Sequence, residues 1–129
     1  MDNQLITGIK GLQSIVVTDK DTAACYGSGL IDVFATPAMI GLMEATAQQS
    51  VMPFLPEGCI TLGTEVNIKH LKATPVGQKV TCNSELIAVD GRQLTFKLSA
   101  SDEGGEIGNG RHTRVIVNKE KFIEKLKIK

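Results

Sequence analysis

The sequence has no excess of charge of either sign: 14 Lys and Arg stand against 14 Asp and Glu over 129 residues. Non-specific affinity for phosphate backbones needs a basic surface, so a nucleic-acid partner is not expected. Long apolar runs are missing too. The most apolar stretch, Val33 to Leu55, is interrupted by Pro37, Gly41, Glu44, Gln48, Gln49 and Pro53. It falls short of the roughly 18 consecutive apolar residues of a membrane span. Cysteine is sparse: Cys25, Cys59 and Cys82 are an odd number without C-x-x-C spacing. That argues against a disulfide framework and for a reducing, cytoplasmic setting. The start, Met1-Asp2-Asn3-Gln4, has no basic n-region and no apolar h-region, so no signal peptide is expected. Also absent are G-x-x-x-x-G-K-[ST], G-x-S-x-G and H-E-x-x-H, and Gly27-Ser28-Gly29 lacks the third glycine of a dinucleotide site.

What is present is an ordinary globular balance, 42% hydrophobic and 22% charged. At this length it reads as one domain spanning residues 1–129, able to bury roughly 65–70% of its unfolded surface. Leu12 to Thr18 is rich in β-branched residues and predicts a strand. Asp19 to Ile31 reads as a loop able to act as a lid. Pro37 to about Met52 predicts a helix, with Thr36 at the N-cap and Pro37 as first helical residue. Pro53 and Pro56 end it. The remainder is β: Ile60–Ala73, Lys79–Val89, a hairpin signal at Asp90-Gly91, an alternating strand from Leu94 to Ser101, and Glu106–Asn118. Lys119 to Lys129, carrying five lysines and two glutamates, suits a short helix with a solvated basic face. The helix is apolar nearly all round and must be enclosed on most sides, which a curved sheet would do.

Within that helix Glu44 is the only formally charged residue between Asp32 and Glu57. It is either a carboxylate on a wet stripe beside Gln48, or a carboxylate whose surroundings tune it as base or nucleophile. His70 and His112 are lone strand histidines, ordinarily surface or satisfied residues. With the cysteines they show no metal-ligand spacing, so no metal is expected. Thr36 is explained by capping, although a helix N-terminus also suits an oxyanion. Gly63 in Leu62-Gly63-Thr64, and Gly108-Asn109-Gly110, break strand patterns and predict a bulge or a close backbone approach.

The run Val33-Phe34-Ala35-Thr36-Pro37-Ala38-Met39-Ile40-Gly41-Leu42-Met43-Glu44 resembles the central helix of hotdog-fold acyl-CoA thioesterases, and more narrowly those of the fluoroacetyl-CoA thioesterase type. Leu62-Gly63-Thr64, His70-x-x-Ala73-Thr74-Pro75-x-Gly77 and Ile107-Gly108-x-Gly110-x-His112 continue the likeness in order, from about Val33 to Phe122. The resemblance implies an α+β hotdog fold, with one long central helix wrapped by a curved antiparallel sheet. It also implies a homodimer and an acyl-CoA substrate, with no cofactor beyond the CoA of that substrate. Its catalytic threonine, glutamate and histidine map onto Thr36, Glu44 and His70. Gly63 maps onto the glycine whose backbone N–H helps hold the thioester oxygen, and Phe34 is expected among the substrate-binding residues.

The fluoroacetyl-CoA enzyme has phenylalanines gating its acyl pocket, where Gly27-Ser28-Gly29-Leu30-Ile31-Asp32 has none. A different short acyl group is expected. The function implied is hydrolysis of a short-chain acyl-CoA to free acid and CoA. The alternative is a non-catalytic acyl-CoA binder or sensor on the same scaffold. Along one helix Thr36 and Glu44 are separated by about 12 Å, so a site using both draws on two subunits unless the chain folds back before Pro37.

Overall fold

In the computed structural model residues 5–129 are described; the Met1–Gln4 segment, on which the reading about a signal peptide rests, lies outside them. The elements are β1 (Lys10–Val16), a one-turn helix α1 (Ala23–Tyr26), the long helix α2 (Thr36–Val51), then β2 (Cys59–His70), β3 (Lys79–Asp90), β4 (Gln93–Asp102), β5 (Gly105–Asn118) and the terminal α3 (Lys119–Leu126). The sheet is antiparallel throughout, in the order β1-β3-β4-β5-β2. The chain thus leaves one edge, runs through α2 and lands on the opposite edge as β2. β3, β4 and β5 fill the gap as a meander, joined at β3–β4 by a two-residue turn, Gly91-Arg92, in which Gly91 takes φ +60°.

Period-two patterning decides the inner face. Val80, Cys82, Ser84 and Leu86 on β3, and Leu94, Phe96, Leu98 and Ala100 on β4, are all buried. Against them α2 sets Met39, Leu42, Met43, Thr46, Ala47 and Val51, and Leu5, Val17, Phe34, Ile107 and Ile116 complete the core. The sheet covers one side of the helix only. Pro37 and Gly41 are exposed and Glu44 and Gln48 half-buried, and their spacing places them on one stripe.

Two local expectations are corrected. The N-cap of α2 is Ala35, and Thr36 is the first helical residue. The Thr36 hydroxyl is engaged elsewhere, by His70, and caps nothing. Pro37 lacks an N–H, which removes one of the donors a cap would serve. The expected loop from Asp19 to Ile31 is largely built structure. A 3-10 turn at Asp19–Asp21 is closed by a Thr18/Asp21 capping box, and Thr22 caps α1 through the Cys25 N–H. The three cysteines are unpaired, with Cys25 exposed and Cys82 buried. No helix among the described residues is long and apolar enough to cross a membrane.

Candidate active site

Two clusters of functional side chains lie on the inner side of β2 and β5, and α2 contributes to both. The first is at the start of α2, where the end of β2 meets it. Thr36 Oγ1 and His70 Nδ1 are 2.8 Å apart. His70 Nε2 is buried without a well-formed hydrogen bond. Burial pulls the His70 pKa below its ordinary 6.5, opposed by a polar contact with the Lys72 backbone. The imidazole is therefore neutral at neutral pH. An open cleft of about 270 Å³ adjoins this pair, walled by Val33, Phe34, Leu71 and Ala73. Phe34, read from the sequence as a substrate contact, is only 1% exposed and belongs as much to the core as to the cleft. Leu30 is 98% exposed and Ile31 63%, so neither closes over it.

The second cluster is built around Gly63. β2 bulges between Gly63 and Glu65, and a Cβ at Gly63 would lie 2.9 Å from Glu44 Oε2 and 3.0 Å from His112 Cε1. The glycine signal in the sequence therefore marks both a bulge and a close approach. Glu44 is neither on a purely wet stripe nor sealed in. Its side chain is 42% exposed, with Oε2 4.0 Å from Nη1 of the buried Arg114. Arg114 donates from Nε to Thr61 Oγ1 at 2.8 Å, from Nη2 to the Thr61 carbonyl at 2.9 Å, and from Nη1 to His112 Nε2 at 3.1 Å. His112 Nδ1–H donates to the Glu65 carbonyl at 2.8 Å, which fixes the tautomer that leaves Nε2 free to accept. Burial lowers the His112 pKa, with Arg114 adding to the shift and the Glu65 carbonyl and Glu44 opposing it.

The fold thus joins Thr36 with His70 and Glu44 with Gly63, but keeps the two pairs apart: eight helical residues separate Thr36 from Glu44, about 12 Å. His112, read as an ordinary strand histidine, belongs to the second cluster together with Arg114. Alternation gave the signal. Counting back by twos from the core residue Ile116 reaches Arg114 and then His112. No group of three or more His, Cys, Asp or Glu side chains that could hold a metal ion occurs among the described residues.

Both histidines resist, when folded, the proton that an unfolded histidine accepts near pH 6.5. Below that pH the unfolded state binds more protons, so this contribution to stability is present above it and is lost as pH falls through it. The thermal midpoint, scanned from pH 8 to 5, is expected to be level above about 7 and to decline below about 6.5; a midpoint unchanged down to pH 5 would contradict the burial of these rings.

The family model described as fluoroacetyl-CoA-specific thioesterase matches residues 17–120. A fluoroacetyl-CoA thioesterase of Streptantibioticus cattleyicolor is 43% identical over 98 residues, 76% of this chain and 70% of that protein. A solved structure of a fluoroacetyl-CoA thioesterase superposes with a TM-score of 0.91 at 36% identity, covering 97% of both chains. A variant of a fluoroacetyl-CoA-specific thioesterase, solved with fluoroacetate and CoA, gives a TM-score of 0.86 at 36% identity over 92% of this chain and 99% of that one.

Proposed function

Because this chain belongs to the fluoroacetyl-CoA-specific thioesterase family, a hotdog-fold family, we propose that it hydrolyses a short-chain acyl-CoA thioester to free acid and CoA, with Thr36, Glu44 and His70 as the reacting set. The observation that carries this reading is the paired arrangement: a threonine hydroxyl on a half-buried imidazole, and a half-exposed carboxylate beside the glycine of an edge strand. Glu44 either attacks the thioester carbonyl or takes a proton from the water that does. His70 accepts and returns protons, ending on the departing thiolate. Thr36 and the Gly63 N–H position the acyl oxygen that becomes negative. Phe34 forms the wall against which the acyl group rests. No cofactor is invoked beyond the CoA of the substrate. Three unpaired cysteines fit a cytoplasmic setting.

The separation of the two pairs is resolved by a homodimer. β2 is an edge strand, exposed from Gly63 to Asn67, with the apolar Val66 among those residues. Antiparallel pairing of two such strands about an axis near Val66 and Asn67 sets His70 of one protomer opposite Gly63 of the other. It also covers the open stripe of α2. Each site then takes Thr36 and His70 from one subunit and Glu44 and Gly63 from its twin.

The acyl group is short but not fluorinated, because this chain has the exposed Leu30 and Ile31 in the segment where the resemblance implies gating phenylalanines. The test is thiol release from a panel of short acyl-CoAs by the wild type, Glu44→Ala and His70→Ala. Turnover in the wild type, with at least a hundredfold loss in each variant, is expected for general acid–base and nucleophilic roles. A wild type that binds these thioesters but releases no CoA makes the chain an acyl-CoA sensor instead. Undiminished turnover in both variants removes the site assignment.

A further inference from the structure

We propose that His112 is a positioning residue that holds the Arg114 guanidinium at a stand-off from Glu44, so that the carboxylate stays free to act. This rests on the reading of Glu44 as a reacting group. Arg114 is 7% exposed and His112 2%, so neither is on the surface for solubility. A buried guanidinium must find acceptors for its N–H groups, and a nearby carboxylate is ordinarily the strongest. Here the nearest carboxylate oxygen is 4.0 Å from Nη1, outside hydrogen-bonding range, while the imidazole Nε2 takes the same nitrogen at 3.1 Å. Thr61 anchors the other side of the fork through its hydroxyl and its carbonyl. Four acceptor contacts would be possible; three are made, and the carboxylate is left just out of reach.

The histidine can play this part because its own orientation is fixed from every side. From β2 the Glu65 carbonyl accepts its Nδ1–H, from β4 Phe96 lies with ring centroids 6.4 Å away, from its own strand Arg114 faces it, and from α2 Glu44 is the one carboxylate bearing on it. Without the Nε2 acceptor, Nη1 has only Glu44 to turn to. The guanidinium closes on the carboxylate, pairs with it, and draws it away from the opening over Gly63. Ground-state binding of the thioester is untouched, so the loss falls on kcat.

Two conservative variants separate this role from a structural one. His112→Asn places an amide where it can still serve the Glu65 carbonyl but is too short to reach Arg114. His112→Gln reaches Arg114. The Asn variant is expected to lower kcat about ten- to hundredfold with KM within about twofold, and the Gln variant to stay within about threefold of wild-type kcat. Asn leaves a larger void than Gln and is expected to melt a few degrees lower, so kcat is compared at a temperature at which both variants are fully folded. Equal kcat in the Asn and Gln variants, or activity that follows the melting temperature rather than the acceptor, overturns the proposal. Glu44→Ala, measured in parallel, keeps the two ideas apart. If it is fully active, the assignment of Glu44 fails; if it is inactive while His112→Asn turns over normally, only the stand-off fails.

Discussion

Mixed after subunit exchange, the Glu44→Ala and His70→Ala proteins, each inactive alone, are expected to recover about a quarter of wild-type thioesterase activity. The figure follows from the geometry. If a site takes His70 from one subunit and Glu44 from the other, a heterodimer of the two variants carries both substitutions in one site and neither in its second. Random exchange makes half the dimers mixed, and half the sites in those are intact. Were each site built within one chain, every site in the mixture would remain damaged and nothing would be recovered. The single chain already argues for the shared arrangement. Thr36 and His70 are joined at 2.8 Å, and Glu44 is poised over Gly63, yet helical rise keeps Thr36 and Glu44 about 12 Å apart. Activity no greater than the two parents, with mixed oligomers demonstrated by mass, would reject the shared site. So would a stable monomer in sedimentation that still hydrolyses acyl-CoA.

The parts of this fold that could be read directly are those in which one residue's environment repeats at a fixed period. Leu94, Phe96, Leu98 and Ala100 are buried as their alternation requires, because the strand has one face on the core and one on solvent. The limits of α2 were close for a similar reason: prolines at both ends constrain the backbone whatever the tertiary setting. Thr36 does not cap, because a hydroxyl at a helix start has two possible partners, and only the fold brings His70 to it across 34 residues of sequence. Glu44 stands out as the one charge in an apolar helix, but its half-exposed position beside a buried cation depends on contacts made by other strands.

His112 and Arg114 show the opposite failure. Their inward position was available from the alternation that places Ile116, but polar residues at inward positions are easily taken for surface ones. The structure resolves this by pairing them with each other and with Thr61 and Glu65, so that their burial is satisfied. Family likeness singled out Glu44, His70 and Gly63 as candidates through motifs in order. It did not reach the Thr36–His70 hydrogen bond or the Arg114 network beside Glu44, because those depend on which elements the fold brings together.

Gly110→Ala is expected to destabilise the protein by about 3 kcal/mol and to lower its thermal midpoint by roughly 10 °C. Gly110 lies on β5 between Leu98 of β4 and Ile68 of β2. A Cβ there would fall 2.1 Å from the Asn67 carbonyl oxygen and 2.8 Å from the Ile68 Cα, at a φ of +157°. Both obstacles are backbone, so no side-chain rotation relieves the overlap, and either β2 or β5 must shift out of the ladder. The edge strand yields first, since it is held on one side only within this chain. β2 carries Gly63 and His70, so displacing it disturbs both halves of the proposed site, and activity is expected to fall together with stability. Amide exchange should accelerate most in β2, with β3 and β4 least affected. A midpoint within about 2 °C of wild type would show that the two strands are not packed as closely as the glycine demands.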